Sequence, residues 1–118
     1  MAEPNPEELL NLGMLSYDKQ DFSKAKKYLE KACELNSGGG CGALGWLYAN
    51  GQGVEKNSKK AAQFYSKACE LKDGKGCSNL GVFYHYGDGV KQDFKKAVAL
   101  FEKACKLGYQ LACEMIKE

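Results

Sequence analysis

Apolar residues along the chain recur at helical spacing in short segments of similar length. Leu44, Leu47 and Tyr48 lie on one side of a helix predicted over about 39–50, where they form the inward face. A second helix is predicted over about 57–71, with apolar positions at Ala61, Phe64, Tyr65 and Ala68. The two helices form one unit, and the same pattern follows again further along the chain. The sequence therefore predicts stacked helix pairs.

The helical unit repeats in a fixed register. A step of 36 residues relates several sets of identical residues, among them Cys33, Cys69 and Cys105, then Cys41, Cys77 and Cys113, then Ala25, Ala61 and Ala97. We therefore expect an all-α fold, a right-handed α/α superhelical solenoid of three helix pairs plus a C-terminal capping helix. The predicted single domain covers 1–118, with repeats at about 5–37, 38–73 and 74–109 and the capping helix at 110–118.

Turn and capping residues support these boundaries. Glycine-rich turns separate the helices of the second and third units, at 51–54 (GQGV) and 87–90 (GDGV), and the first unit lacks such a turn. Asparagine or aspartate, both good N-caps, precedes four predicted helices, at Asn5, Asp21, Asn57 and Asp93. Pro6 then occupies the first helical position of the first helix, where proline is favoured.

One glycine falls at the same position inside the first helix of each pair, and these are Gly13, Gly45 and Gly81. A glycine inside a helix costs about 1 kcal/mol relative to alanine. Recurrence at one repeat position favours close approach of the neighbouring helix over a harmless surface glycine.

Each repeat carries one Cys-x7-Cys pair that joins the end of one helix pair to the start of the next. The chain folds back between the two cysteines, which can bring their Cα atoms within disulfide range. Repeat symmetry selects the pairs Cys33–Cys41, Cys69–Cys77 and Cys105–Cys113. Reduced buried thiols and metal ligation are the alternatives, but zinc sites favour closer cysteine pairs and the chain has one histidine. Disulfides would place the protein in an oxidising compartment.

The repeat resembles two related families. The segment 44–48 (LGWLY) and the alanine and tyrosine positions of the next helix resemble the tetratricopeptide signature. The extra residues of the glycine turn make the repeat longer, which resembles the Sel-like repeat (SLR) branch. The motif KACEL at 67–71, followed by Gly76 and Cys77, resembles the Helicobacter cysteine-rich proteins. That resemblance implies a secreted SLR protein with one disulfide per repeat, and it covers essentially the whole chain. The chain is shorter than most such proteins and has no arginine, which indicates a fragment or an engineered relative.

The resemblance also implies a concave groove lined by the first helix of each pair. Carried over by position, the predicted groove-binding residues are Met14, Tyr17, Asp18, Trp46, Asn50, Val82, His85 and Tyr86, accompanied by Leu10, Gly42, Ala49, Ser78 and Glu114. Aromatic residues often dominate binding interfaces, and methionine adapts to varied partners. Asn50 is predicted to hold a peptide backbone amide, because its side chain both donates and accepts hydrogen bonds. The alternative for Trp46 is packing between repeats.

Composition and charge then limit the classes of partner. The net charge is +2 and all seventeen basic residues are lysine, which disfavours nucleic-acid or phosphate recognition. No apolar run of membrane-spanning length occurs, so no membrane insertion is expected. The N-terminal residues 1–4 lack the features of a signal peptide. The segment 2–4 (AEP) resembles the start of a mature chain of the Helicobacter family. Recurrent lysines at 24–27, 59–60 and 95–96 are interpreted as a solvated outer face, with polyanion binding as the alternative.

The predicted function is that of a secreted, monomeric module that binds a protein or an extended peptide, without a cofactor or metal. Resemblance to the Helicobacter proteins implies a second candidate, weak penicillin binding and β-lactamase activity. Ser16 and Ser23 each precede a lysine by three residues, but the other motifs of serine β-lactamases are absent. A third interpretation is an engineered scaffold without a natural ligand.

Overall fold

The computed structural model describes residues 4–117, so residues 2 and 3 of the predicted mature N-terminus and the last residue of the predicted capping helix lie outside the described residues. Within that range the chain forms seven α-helices and no strand. They are α1 (Pro6–Asp18), α2 (Phe22–Glu34), α3 (Gly38–Asn50), α4 (Ser58–Glu70), α5 (Gly74–Tyr86), α6 (Phe94–Lys106) and α7 (Gln110–Met115). The prediction of an all-α repeat fold with three helix pairs and a final single helix is confirmed.

The predicted helix starts are confirmed by their capping hydrogen bonds. The side-chain oxygens of Asn5, Asp21, Asn57 and Asp93 each accept from the backbone N–H three residues later, at 2.8 to 3.2 Å. The capping helix is shorter than predicted and ends at Met115 instead of 118. Within the described residues no further helix packs against its far side, and its last apolar residues Met115 and Ile116 are exposed.

Helices pack pairwise, as α1 with α2, α3 with α4 and α5 with α6, and the pairs stack into an elongated body of 49 × 28 × 21 Å. The apolar stripe predicted for α3 is its buried side, with Leu44, Leu47 and Tyr48 only 1%, 0% and 7% exposed. The core runs along the stack between the two layers of helices. The first helices of the pairs, α1, α3 and α5, lie side by side in one layer.

The recurrent helix glycines allow close packing within each pair, as predicted. A Cβ atom at Gly45 would lie 2.9 Å from the ring of Tyr65, which is 1% exposed. A Cβ atom at Gly81 would lie 2.9 Å from the ring of Phe101. In the first pair, a Cβ atom at Gly13 would lie 2.7 Å from the side chain of Leu29. Each helix pair therefore meets at a glycine opposite a large apolar side chain.

The glycine turns contact the preceding repeat. Gly53 has φ of 72°, a left-handed conformation that favours glycine, and a Cβ there would lie 2.8 Å from the backbone of Phe22. Gly89 has φ of 68° and would meet the backbone of Ser58 at 2.5 Å. Phe22 and Ser58 are the first residues of α2 and α4. The glycine turn of one repeat therefore packs against the start of the second helix of the repeat before it.

Candidate functional site: the central cavity

A cavity of about 400 Å³ opens on the layer formed by α1, α3 and α5. We call it the central cavity. Its lining combines aromatic and apolar side chains from α1 and α3 with polar and charged side chains from the start of α5. The lining residues are Met14, Tyr17, Leu29, Gly39, Gly42, Ala43, Trp46, Asp73, Lys75, Gly76 and Asn79.

The cavity exists because α3 presents almost no side chains along its floor. Gly39, Gly42 and Ala43 lie at repeat positions where α5 carries Lys75, Ser78 and Asn79. Larger side chains at these positions of α3 would fill the space between α1 and α5. The glycine-rich start of α3 therefore makes room for a ligand between its two neighbours.

One wall of the cavity is aromatic and held by hydrogen bonds. The indole Nε1–H of Trp46 donates to the phenolic oxygen of Tyr17 at 3.2 Å. The Tyr17 hydroxyl in turn donates to Oε1 of Gln52 at 3.1 Å. Trp46 nevertheless remains 44% exposed. The wall thus combines a fixed orientation with a large ring surface open to solvent.

The opposite wall carries a half-buried carboxylate. Asp73 is the N-cap of α5, but its side chain forms no capping hydrogen bond of good geometry. Its Oδ2 lies between α3 and α5, where a Cβ on Gly42 would approach it to 2.7 Å and a Cβ on Gly76 to 3.3 Å. Burial raises the pKa of Asp73, and this outweighs the opposing influence of the backbone N–H groups of Gly76 and Lys75 and of the Lys75 ammonium.

Ser37 occupies the equivalent position before α3 and behaves differently. Its hydroxyl accepts a hydrogen bond from the backbone N–H of Gly40 at 3.0 Å, as an ordinary N-cap does. Among residues 4–117 the one ion pair within 4.0 Å joins Lys26 and Glu30, so no described lysine pairs with the Asp73 carboxylate at that distance.

The structure brings together only part of the predicted groove set. Met14, Tyr17 and Trp46 line the central cavity. Asp18 and Asn50 are exposed at the ends of their helices, and Nδ2 of Asn50 donates to the backbone oxygen of Trp46 at 2.9 Å. That bond occupies part of the amide that was expected to hold a peptide backbone.

The predicted groove residues of the third repeat lie outside the central cavity. His85 and Tyr86 are exposed, and the ring of His85 lies 4.7 Å from that of Tyr86 and 5.3 Å from that of Phe94. Val82, which is half-buried, lies one turn earlier on the same helix. These residues extend the same layer of helices beyond the cavity.

Several cavity residues were not anticipated from the sequence. Ser78, expected on the surface, is only 5% exposed, and the adjacent Asn79 lines the cavity in its place. Asp73 and Lys75 were missed because the groove positions predicted for the third repeat begin at Ser78, whereas Asp73 precedes α5 and Lys75 lies in its first turn. The run of glycines at 38–40 was the signal that α3 has an open surface.

All three predicted disulfides are present, and they join each second helix to the next first helix. They are Cys33–Cys41, Cys69–Cys77 and Cys105–Cys113, with Cα atoms 4.5, 4.5 and 4.6 Å apart. Each bridge therefore crosses a boundary between repeats. Within the described chain no group of three or more His, Cys, Asp or Glu side chains is arranged to hold a metal.

Neither Ser16 nor Ser23 makes a hydrogen bond with a lysine side chain in the described residues. The hydroxyl of Ser16 is directed into its own helix, where it donates to the backbone oxygen of Leu12 at 2.9 Å, and the residue is only 7% exposed. Ser23 is exposed at the start of α2. No helix of the described range is both long and apolar enough to cross a bilayer.

Comparison with known proteins agrees with the repeat architecture. The Sel1 repeat model matches residues 40–73 and 74–109, and the tetratricopeptide repeat model matches residues 6–38. The tetratricopeptide match falls on the repeat that lacks the glycine turn. Because the Sel1 matches cover more than half of the chain, this protein belongs to the Sel1 repeat family.

Relatives of known structure include the Helicobacter cysteine-rich proteins. Helicobacter pylori cysteine rich protein B superposes with a TM-score of 0.76 at 52% identity, over 83% of this chain and 71% of that one. A protective antigen of uropathogenic Escherichia coli with an SLR fold superposes with a TM-score of 0.85 at 28% identity, over 92% of this chain and 24% of that one.

A curated relative from Helicobacter pylori, named "Putative beta-lactamase HcpC", is 59% identical over 59 residues, which is 50% of this chain and 20% of the relative. The match thus spans about a fifth of that relative's length. The three disulfides and the Helicobacter relatives together indicate an oxidising compartment outside the cytoplasm.

Proposed function

We propose that this protein is a secreted binding module that holds an extended peptide segment of another protein along the layer of α1, α3 and α5. The central cavity carries the proposal. It offers an exposed indole, a methionine and a floor of small residues, and it has room for about one or two side chains of a ligand. Repeat proteins use such extended surfaces for binding.

Each part of the cavity suits a peptide ligand. Trp46 gives a large ring surface, and its hydrogen bond to Tyr17 reduces the ordering that binding must impose. Met14 can adapt its shape to different side chains. Asn50, Val82, His85 and Tyr86 would contact residues of the peptide on either side of the cavity, and Asp18 would lie near its end in the first repeat.

The proposal is tested with the single tryptophan of the chain, because its indole N–H resonance and its fluorescence report on the cavity alone. A pool of acetylated, amidated nonapeptides is titrated into the oxidised protein. Saturable shifts of the indole resonance are expected. The Trp46→Ala variant, whose binding is followed by backbone amide resonances because the indole is absent, should lose binding about tenfold or more.

Leu111→Ala is the matched control, because Leu111 is 59% exposed but lies outside the cavity. It should bind peptides as the wild type does. If no peptide of the pool shifts the indole resonance, the peptide-binding function is wrong.

The names of the Helicobacter relatives give β-lactam hydrolysis as a second candidate. It is tested by the turnover of a chromogenic β-lactam by the oxidised protein. Turnover that Ser16→Ala and Ser23→Ala leave unchanged would require a nucleophile other than these serines, whereas turnover lost with either variant would identify the group.

A further inference from the structure

We propose that the central cavity takes the side chain of a lysine or arginine of the bound peptide, with the carboxylate of Asp73 as its counter-ion and the rings of Trp46 and Tyr17 as its walls. This inference rests on the peptide-binding function proposed above. It adds the chemical class of the residue that enters the cavity.

The first argument is the position of the carboxylate. Asp73 lacks the well-formed capping hydrogen bond that Ser37 makes, and its Oδ2 lies close to Gly42 at the floor of the cavity. Any side chain at residue 42 would displace it. The glycine and the aspartate therefore form one arrangement that leaves a carboxylate facing a space large enough for a ligand.

The second argument is the missing counter-charge. Half-buried charges are ordinarily paired, because burial removes the water that would stabilise them. No described lysine nitrogen lies within 4.0 Å of the Asp73 carboxylate, although Lys75 is two residues away. Lys75 is exposed, whereas Asp73 is half-buried. A cation that enters the cavity would form an ion pair with the Asp73 carboxylate.

The third argument is the aromatic wall. Trp46 and Tyr17 line the same cavity as Asp73, and a cation is attracted to the face of an aromatic ring, most strongly to that of tryptophan. A lysine or arginine side chain also has an apolar stem that can pack on Met14. An acidic side chain would meet the carboxylate directly, so the cavity disfavours it.

The test compares nonapeptides that differ only at the central residue, which is lysine, arginine, norleucine or glutamate. Binding is followed by Trp46 fluorescence in the wild type, in Asp73→Asn and in Lys75→Gln. Asparagine is as good an N-cap as aspartate, so the first variant should keep the fold, and amide NMR spectra check this.

Wild-type protein should bind the lysine and arginine peptides about tenfold more tightly than the norleucine peptide. Asp73→Asn should abolish this preference, so that the lysine, arginine and norleucine peptides bind with similar affinity. Lys75→Gln should strengthen binding of the cationic peptides severalfold, because it removes a like charge near the cavity.

A second arm uses N-acetyl-lysine methylamide and N-acetyl-norleucine methylamide as small probes, followed by the Trp46 indole resonance. If peptides bind without a preference for a cation, the inference is wrong and the peptide-binding function stands. If only the small cation shifts the resonance, the cation site stands and the peptide-binding function is wrong. If neither probe nor peptide has an effect, both are wrong.

Discussion

The indole N–H of Trp46 on α3 donates a hydrogen bond to the hydroxyl oxygen of Tyr17 on α1, with 3.2 Å between the two atoms. The same hydroxyl donates a hydrogen bond to Oε1 of Gln52, in the glycine turn of the second repeat. One phenol thus links two helices and a turn on the face where a ligand would bind. It orients the largest exposed ring of the cavity before any ligand arrives.

Tyr17→Phe should therefore weaken peptide binding with little loss of stability. The variant removes two hydrogen bonds that are partly accessible to solvent, so the free energy of unfolding should fall by about 1 kcal/mol or less. Peptide affinity should fall about threefold to tenfold, because the indole is no longer held in one orientation. Titration by fluorescence and urea unfolding measure the two effects. Tyr109→Phe, which alters a half-buried tyrosine outside the cavity, is the control; equal effects of the two variants would contradict this role of Tyr17.

Gly45→Ala should destabilise the protein. Its Cβ would lie 2.9 Å from the Tyr65 ring and 3.3 Å from the carbonyl oxygen of Ala61, and neither can move without disturbing the core. Overpacking of this kind costs about 1–3 kcal/mol, which exceeds the gain of about 1 kcal/mol in helix propensity.

Urea unfolding of this variant is compared with that of Gly39→Ala. The Cβ at residue 39 would meet only the flexible end of Leu10, at 3.0 Å. Gly39→Ala should leave the unfolding midpoint unchanged or raise it. A midpoint for Gly45→Ala at or above that of the wild type would show that the helix pair can separate without cost.

The third disulfide should be the first to be reduced. Cys105 and Cys113 are half-buried, whereas the cysteines of the other two bridges are at most 3% exposed. Thiol–disulfide exchange requires access of the attacking thiolate to a sulfur atom. Partial reduction with dithiothreitol, followed by alkylation and peptide mass spectrometry, should label Cys105 and Cys113 ahead of the others.

Loss of a bridge should also lower stability. Each disulfide closes a loop with a sequence separation of 8, which is worth about 2.5 kcal/mol in the chain-entropy description. The double variant of Cys69→Ser with Cys77→Ser should therefore lose about that amount in urea unfolding. A fully reduced protein as stable as the oxidised one would contradict this role of the bridges.

Asp73→Asn should make the protein more stable at pH 7. Because burial raises the pKa of Asp73 in the folded state, the folded protein holds this proton more tightly than the unfolded chain does. The ionised carboxylate therefore costs folding free energy above its folded pKa. That cost disappears as the pH falls through the folded pKa and below the unfolded value of 3.8.

The stability difference between Asp73→Asn and the wild type should accordingly shrink as the pH is lowered from 7 to about 3. Unfolding midpoints across this pH range measure it. Asp93→Asn is the matched control, because the Asp93 carboxylate accepts a hydrogen bond from the backbone N–H of Lys96 at 3.0 Å and is exposed. It should not gain stability at pH 7. A gain of equal size in both variants would show that the general loss of negative charge, and not the burial of Asp73, is responsible.

The sequence was sufficient to predict the helices and the disulfides because both follow from a pattern that repeats. A cysteine such as Cys69 has its partner eight residues away in every repeat, and capping residues such as Asn57 act locally. The lining of the cavity depends instead on where repeats differ. Asp73 occupies the position that Ser37 has in the preceding repeat, and Gly39 occupies the position that Lys75 has in the next one. These differences between repeats give the cavity its chemistry.

The position of Ser78 shows the limit of carrying positions over from related repeats. A shift of one residue on a helix turns a side chain by about 100°, which is enough to exchange an exposed position for a buried one. Ser78 is therefore buried, and Asn79 reaches the cavity. Helical periodicity alone does not fix this rotation, because it depends on how α5 packs against α3.

Because each disulfide crosses a boundary between repeats, the bridges govern how the protein responds to being pulled from its two ends. A solenoid without such bridges extends by peeling one repeat from the next. Here a covalent cross-link spans each junction. It prevents about 20 Å of chain between the two cysteines from extending, and it keeps neighbouring helix pairs in contact while the force is applied. Only the segments between bridges can lengthen, so the chain should resist stretching as a series of short, separately anchored units.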